Sequence, residues 1–260
     1  YKTAIRNFLT AEAPDVAIWF AGNRMKFFVD QNLFQDVSDV WADAGLNDSM
    51  ASSKGSLTVE GKQYGVPWGY YQWGVYYRKD LFDQLGLNVP RDWDEFKWVC
   101  AMLKKNGITP ITIGTKFLWT AGGWFDYLNL RINGYQFHMD LTAGKVSYED
   151  PRLDAVFDHW RELIDPGYFL EDHASFSWQD AQAPQINGEA AMYLIGNFYV
   201  PTFEAAGIGD QMDFFQFPTI YEGVGVAEDA PTDTMHIPSG AKNVEDAKKF
   251  LAFMSNKEAA

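Results

Sequence analysis

The stretch DWDEFKWVCAMLKKNGITPITIG, residues 92–114, limits what this chain can fold into more than any other. Trp93, Phe96, Val99, Cys100 and Leu103 recur at helical intervals, so a helix here has a single apolar face. Asp92 and Glu95 have capping-box spacing at its start, and Asn106-Gly107 is a C-cap pair at its end. A β-branched run, residues 108–113, follows at once. A one-sided helix feeding a short apolar strand is the building unit of an α/β protein.

The same order recurs elsewhere. Ile5, Phe8 and Leu9 predict a helix that Pro14-Asp15 stops, and residues 16–20 predict an apolar strand buried on both faces. Short helices are expected over 36–44 and 47–52, then a hairpin in SLTVEGKQYGVPW turning at Glu60-Gly61. Later helices are expected over 122–132 and from Asp150-Pro151, where Leu153, Val156, Phe157, Trp160 and Leu163 share one face. The spacing further predicts a helix over 178–187, a strand over 190–195, a helix over 198–206 and a strand over 213–217. A last helix, 244–254, has Ala247, Phe250, Leu251 and Met254 on its buried stripe. The long Gly-, Ala- and Asp-rich segment 221–233 reads as one of two crossings between lobes, the other being the ring-rich stretch GVPWGYYQWGVYYRKDLF, residues 65–82.

Composition narrows the partners. The 260 residues include 35 acidic and 21 basic side chains, a net charge of -14, and no segment gathers the Lys or Arg that phosphates require. Nucleic acid is therefore a poor partner, and a neutral or cationic small ligand a better one. The single Cys100 rules out an intrachain disulfide and a zinc finger, and its apolar neighbours make it a buried spectator. No apolar run reaches the ~18 residues that span a bilayer. No signal peptide is read, and the chain opens in mid-pattern on YKTAIRNFLTAEAPDVAIWF, so the true N-terminus is expected upstream.

Seven stretches then carry a resemblance: PDVAIWFAGN, EGKQYGVPWG, YYRKDLFDQLGL, VPRDWDEFKWVCAMLKKNGITPITIG, INGEAAMYLIGNF, FFQFPT and NVEDAKKFLAFMSN. In this order, across nearly the whole chain, they resemble the extracellular solute-binding proteins of bacterial ABC sugar importers, the family that includes maltose-binding protein. The resemblance implies an α/β, two-lobed periplasmic-binding-protein fold of the type II, venus-flytrap kind, each lobe a sheet flanked by helices, with sugar held between the lobes. Lobe 1 would take residues 1–72 plus 233–260 and lobe 2 residues 73–232. It also implies a chain truncated at both ends, and a monomeric, non-catalytic receptor with no cofactor or metal. Its partners would be a carbohydrate and the permease subunits of an ABC transporter, and its place extracytoplasmic, either periplasmic or lipid-anchored to the outer face of the membrane.

Sugar recognition fixes which residue types to look for. A pyranose has apolar C–H faces and a rim of hydroxyls, so flat rings suit the faces and planar polar groups the rim. In an α/β sheet these belong at the carboxyl ends of strands. Asn23 and Arg24 follow the first strand, in a loop that by resemblance faces the ligand. In the ring-rich stretch Trp68, Tyr70, Tyr71 and Trp73 cannot all face outward, and Tyr71 and Trp73 are the preferred pair. Trp119, Trp124 and Asp126 follow the strand of 108–113. Trp178 lies in SFSWQDA, Asn197 and Phe198 follow the strand of 190–195, and in relatives the aromatic matching Phe198 stacks on sugar. Asp233 lies where the chain returns to lobe 1. Two other classes stay open: a glycoside hydrolase, which needs two carboxyl groups ~5–9.5 Å apart and shows no recognisable pair, and a receptor of the same fold for a peptide or cationic metabolite.

Overall fold

The chain divides after Tyr71 and after Asp229, giving one unit made of the residues up to Tyr71 and from Ala230 onward, and a second made of Gln72–Asp229. The computed structural model describes residues 4–256.

In the first unit β1 (Ala17–Phe20), β2 (Thr58–Val59), β3 (Lys62–Gln63) and β4 (Val66–Tyr70) precede the second unit in sequence, which contains β5 (Trp73–Arg78), β6 (Thr109–Ile111), β7 (Ala190–Gly196) and β8 (Met212–Phe215); β9 (Thr232–His236) then returns to the first. There β9 lies between β1 and β4 and runs antiparallel to both. The β2–β3 hairpin turns at Glu60 and Gly61 with φ of 50° and 80°, the left-handed pair that a tight two-residue turn needs. The core is Phe28, Phe34, Trp41, Leu46, Leu57, Val66, Met235, Ile237 and Leu251. His236 is fully buried, stacks on Phe34 at 4.3 Å and meets the Tyr64 carbonyl through Nδ1.

Three expectations need correction here. Among the described residues β1 pairs only with β9, so it is an edge strand; Ile18 is exposed rather than buried on both faces. The helix Val244–Met254 buries Ala247 and Leu251, but Phe250, expected on the same stripe, faces outward. Asp233 belongs to β9, so the loop ends before it.

The second unit is built on a sheet of order β6-β7-β5-β8, with β6 parallel to β7 and the other pairs antiparallel. Every residue of β7 is buried, as the uninterrupted apolar run AAMYLIG requires of an inner strand. The helix Trp93–Lys105 starts where Asp92 accepts the Glu95 N–H at 2.8 Å. Glu95 turns back to Arg91, accepting its N–H at 2.8 Å, instead of closing a full box. Cys100, on the inner face, is completely buried and its thiol is pushed up by desolvation.

Two expected helices differ. The helix read over 122–132 begins at Trp119. That read over 178–187 shrinks to Gln182–Ile186, because Asp180 accepts both the N–H and the hydroxyl of Ser177 and holds residues 177–180 as a turn.

Candidate ligand-binding site

One end of the second unit's sheet collects rings from four segments. Trp73 opens β5 opposite Gly196, the last residue of β7, so the Asn197-Phe198 turn lies beside it. Because β6 runs parallel to β7, the chain leaves β6 at this same end and passes through Gly114 and Thr115 to Trp119, the first residue of its helix. Trp178 is held there too. Its carbonyl accepts the Tyr193 hydroxyl of β7 at 3.1 Å, and Gly114 lies so close to the Ser177 backbone that a Cβ could not fit.

The rings meet nearly edge to face. Trp178 and Phe198 have centroids 5.1 Å apart at 83°, Trp119 and Trp178 6.1 Å at 69°, Trp119 and Phe198 6.2 Å at 55°, and Trp73 and Trp119 5.9 Å at 82°. Such pairs contribute about 0.5–1.5 kcal/mol each beyond the area they bury, so the cluster is preorganised without a ligand. Trp119, Trp178 and Phe198 remain half-buried, and Asn197 is exposed beside them with its N–H donated to the Gln72 carbonyl. The arrangement offers flat apolar surface next to an amide at strand ends.

Trp73 is buried, against the preference that put it outward. Its ring packs on Trp119 and directly on Gly123, where no Cβ would fit, so it forms the floor of the cluster. Trp124 is likewise a core residue. It has no exposed surface and packs between Phe169 at 5.1 Å and Phe217 at 5.6 Å, because five helical steps from Trp119 turn it about 140° away. Asp126 is half-exposed, and its charge acts on Tyr148, whose phenol is pushed up by burial and then by that carboxylate.

The first unit gathers a second set at one end of its own sheet. Phe20 of β1, Asp233 of β9 and Gly69 of β4 lie side by side in register. Arg24 folds back over Phe20 with its guanidinium carbon 4.5 Å from the ring centre, and its carbonyl accepts the Trp19 indole N–H at 3.2 Å. Asn23 and Arg24 are exposed, and Asp233 is half-buried. Tyr71 is half-buried, its N–H held by the Pro231 carbonyl at 3.1 Å. The exposed rings of that stretch are instead Trp68 and Tyr70, which the preference for Tyr71 and Trp73 had set aside.

A buried charged group lies close to where the chain leaves the second unit. Arg131, almost fully buried, donates to the Phe217 and Ala227 carbonyls and to Glu228. Tyr127 donates to Glu228 at 3.0 Å and approaches the Trp73 carbonyl at 3.2 Å. Asp229 is pushed up to about 6 by burial and then by the neighbouring Glu228 charge. Perturbed carboxyls often mark chemistry. Here the Glu228 oxygens are committed to Arg131 and Tyr127, and the cluster reads as an anchor for the chain between Phe217 and Asp229. A shallow concavity of about 560 Å³ lined by Arg91, Lys97, His159 and Glu162 shares no residue with the ring cluster; its Lys97 pairs with Glu162, and its Arg91 with Glu95 outside it.

Comparison with known proteins places this geometry. The model of the family described as bacterial extracellular solute-binding protein matches residues 1–260. An uncharacterized ABC transporter extracellular-binding protein of Pyrococcus horikoshii is 28% identical over 254 residues, which are 96% of this chain and 56% of that protein. The multiple sugar-binding protein of Streptococcus mutans is 27% identical over 206 residues, 77% of this chain and 49% of its own length. Among solved structures, the bacterial solute receptor AcbH, described as having an exclusive preference for β-D-galactopyranose, superposes with a TM-score of 0.91 at 36% identity, covering 99% of this chain and 66% of its own. The chain thus spans about half the length of the curated relatives it matches.

Proposed function

Because this chain belongs to the bacterial extracellular solute-binding protein family, we propose that it binds a neutral sugar without turning it over and hands it to the permease of an ABC importer outside the cytoplasm. The observation that carries this reading is the ring cluster of Trp119, Trp178 and Phe198 over Trp73, with the Asn197 amide at its edge. Half-buried rings at strand ends meet the C–H faces of a pyranose, and an adjacent amide both donates to and accepts from its hydroxyls. The β-D-galactopyranose preference of AcbH and the sugar binding of the streptococcal protein fit such a site. The acidic surface disfavours an anionic ligand.

Titration calorimetry with D-galactose, raffinose and chitin oligosaccharides, paired with chromatography of the sugars afterwards, tests the proposal. Saturable binding with unaltered sugar is the expected result, and Trp119→Ala should weaken it by about 0.5–1.5 kcal/mol or more while leaving the fold intact. Released product would make the protein a hydrolase and overturn the reading.

A further inference from the structure

In β4 the register jumps: Pro67 pairs with Thr234 and Gly69 with Asp233, so two residues of β4 span one step of β9. Trp68 is the extra residue. A bulge of this kind re-aims a side chain, and here it turns an indole out into solvent. Trp68 is 50% exposed and Tyr70, two residues on, 67%, whereas Val66 and Pro67 just before them are buried. β4 is also an edge of the order β1-β9-β4, so neither ring is covered by a neighbouring strand among the described residues. Large rings kept in water gain nothing for folding, and strand spacing sets two residues at i and i+2 about 6.5 Å apart along the edge.

The neighbours give these rings a chemistry. Gly69, between them, lies opposite Asp233, and Asp233 opposite Phe20, on which Arg24 rests. The same sheet end therefore combines two flat amphipathic rings with a carboxylate, a guanidinium and the exposed Asn23 amide. Planar apolar faces beside directional hydrogen-bonding groups of both signs are what a neutral polyhydroxylated ring requires; an apolar protein surface would have no use for the charges, and an anion would meet Asp233.

We propose that the bulged end of β4 is a saccharide-stacking platform belonging to the first unit, with Trp68 and Tyr70 as its contact rings and Asp233, Asn23 and Arg24 as its polar rim. This rests on the sugar-binding reading above and extends it to residues outside the ring cluster. The bulge is the determinant at this edge: it is where Trp68 turns out into solvent, with Tyr70 two residues on.

The test uses the whole chain with D-galactose, raffinose and chitin oligosaccharides as probes. Trp68→Ala and Tyr70→Ala should each weaken binding of the recognised sugar roughly three- to tenfold, with unchanged melting temperature, while Trp68→Phe retains most of the affinity. Trp98→Ala, which removes another exposed indole (55%) from the outer side of the helix Trp93–Lys105, should bind as the parent does. In protein labelled with 5-fluorotryptophan, the fluorine resonance lost in Trp68→Phe should shift on adding sugar to the parent. Parent-like affinity in both alanine variants, or a Trp68 resonance indifferent to saturating sugar, would overturn the platform while a loss in Trp119→Ala keeps the receptor reading intact. A parent protein that binds none of the probes would overturn both.

Discussion

Asp229, half-buried, and His236, fully buried, are titratable groups whose effects on stability oppose each other. The Asp229 carboxyl, pushed up to about 6 chiefly by burial, holds a proton in the folded protein that the unfolded chain, near the ordinary 3.8, has already released. Its contribution is therefore present at acidic pH and is lost as pH rises through about 6. His236, drawn down to about 4 by burial, stays neutral when the unfolded imidazole, near 6.5, is charged, so it costs stability as pH falls through that window. Asp229→Asn should raise the melting temperature at a pH of about 7.5, where the native residue is a half-buried anion beside Glu228, and change it little at about 4. Thermal melts at both pH values check the sign; a lower melting temperature at the higher pH would show that the charge is stabilised. At this scale the sequence was informative about residue type and poor about direction. Trp119 and Trp124 are both tryptophans after the same strand, and only the point at which their helix begins decides which one reaches solvent. That point is set by Leu118, held at φ 62°, a backbone state its side chain gives no reason to expect.

Among the elements, those with local signals were legible. The helix Trp93–Lys105 has its apolar spacing, its Asp92 cap and its Gly107 stop, at φ 77°, all written in consecutive residues. Asp92→Ala should lower unfolding free energy by about 1 kcal/mol in a denaturant titration, with sugar affinity unchanged. The hairpin at Glu60-Gly61 and the helix Val244–Met254 were readable for the same reason. The segment after Trp178 was not, because what shapes it comes from far along the chain: the Thr112 hydroxyl donates to the Ala181 carbonyl at 2.7 Å, and Tyr193 holds Trp178. The bulge at Trp68 belongs to this second class. Alternation along β4 puts Trp68 and Tyr70 on one face, but the slip in pairing that makes Trp68 the extra residue shows only against β9.

For the molecule as a whole, the two units differ in how they are threaded. The second is one continuous segment, Gln72–Asp229, with its own sheet and a core that includes Phe96, Trp124, Tyr127 and Phe217. Expressed alone, this segment should unfold in a single cooperative transition and keep the near-ultraviolet dichroism of its packed indoles; a fragment without tertiary signal would show that its core depends on the rest of the chain. The α/β class and the order of elements could be read from the sequence because each rests on local periodicity. The edge position of β1 could not, since it depends on which strands reach it.

The first unit's sheet has its middle strand last in sequence: among the described residues β1 and β4 each pair with β9, some 160 residues downstream of β4. A chain emerging from the ribosome therefore presents two strands with nothing to pair until Thr232–His236 has been made, while everything the second unit needs is already out. Threading thus sets an order: the continuous inner segment can pair its own strands before the middle strand of the outer sheet exists, and β1 and β4 wait for it.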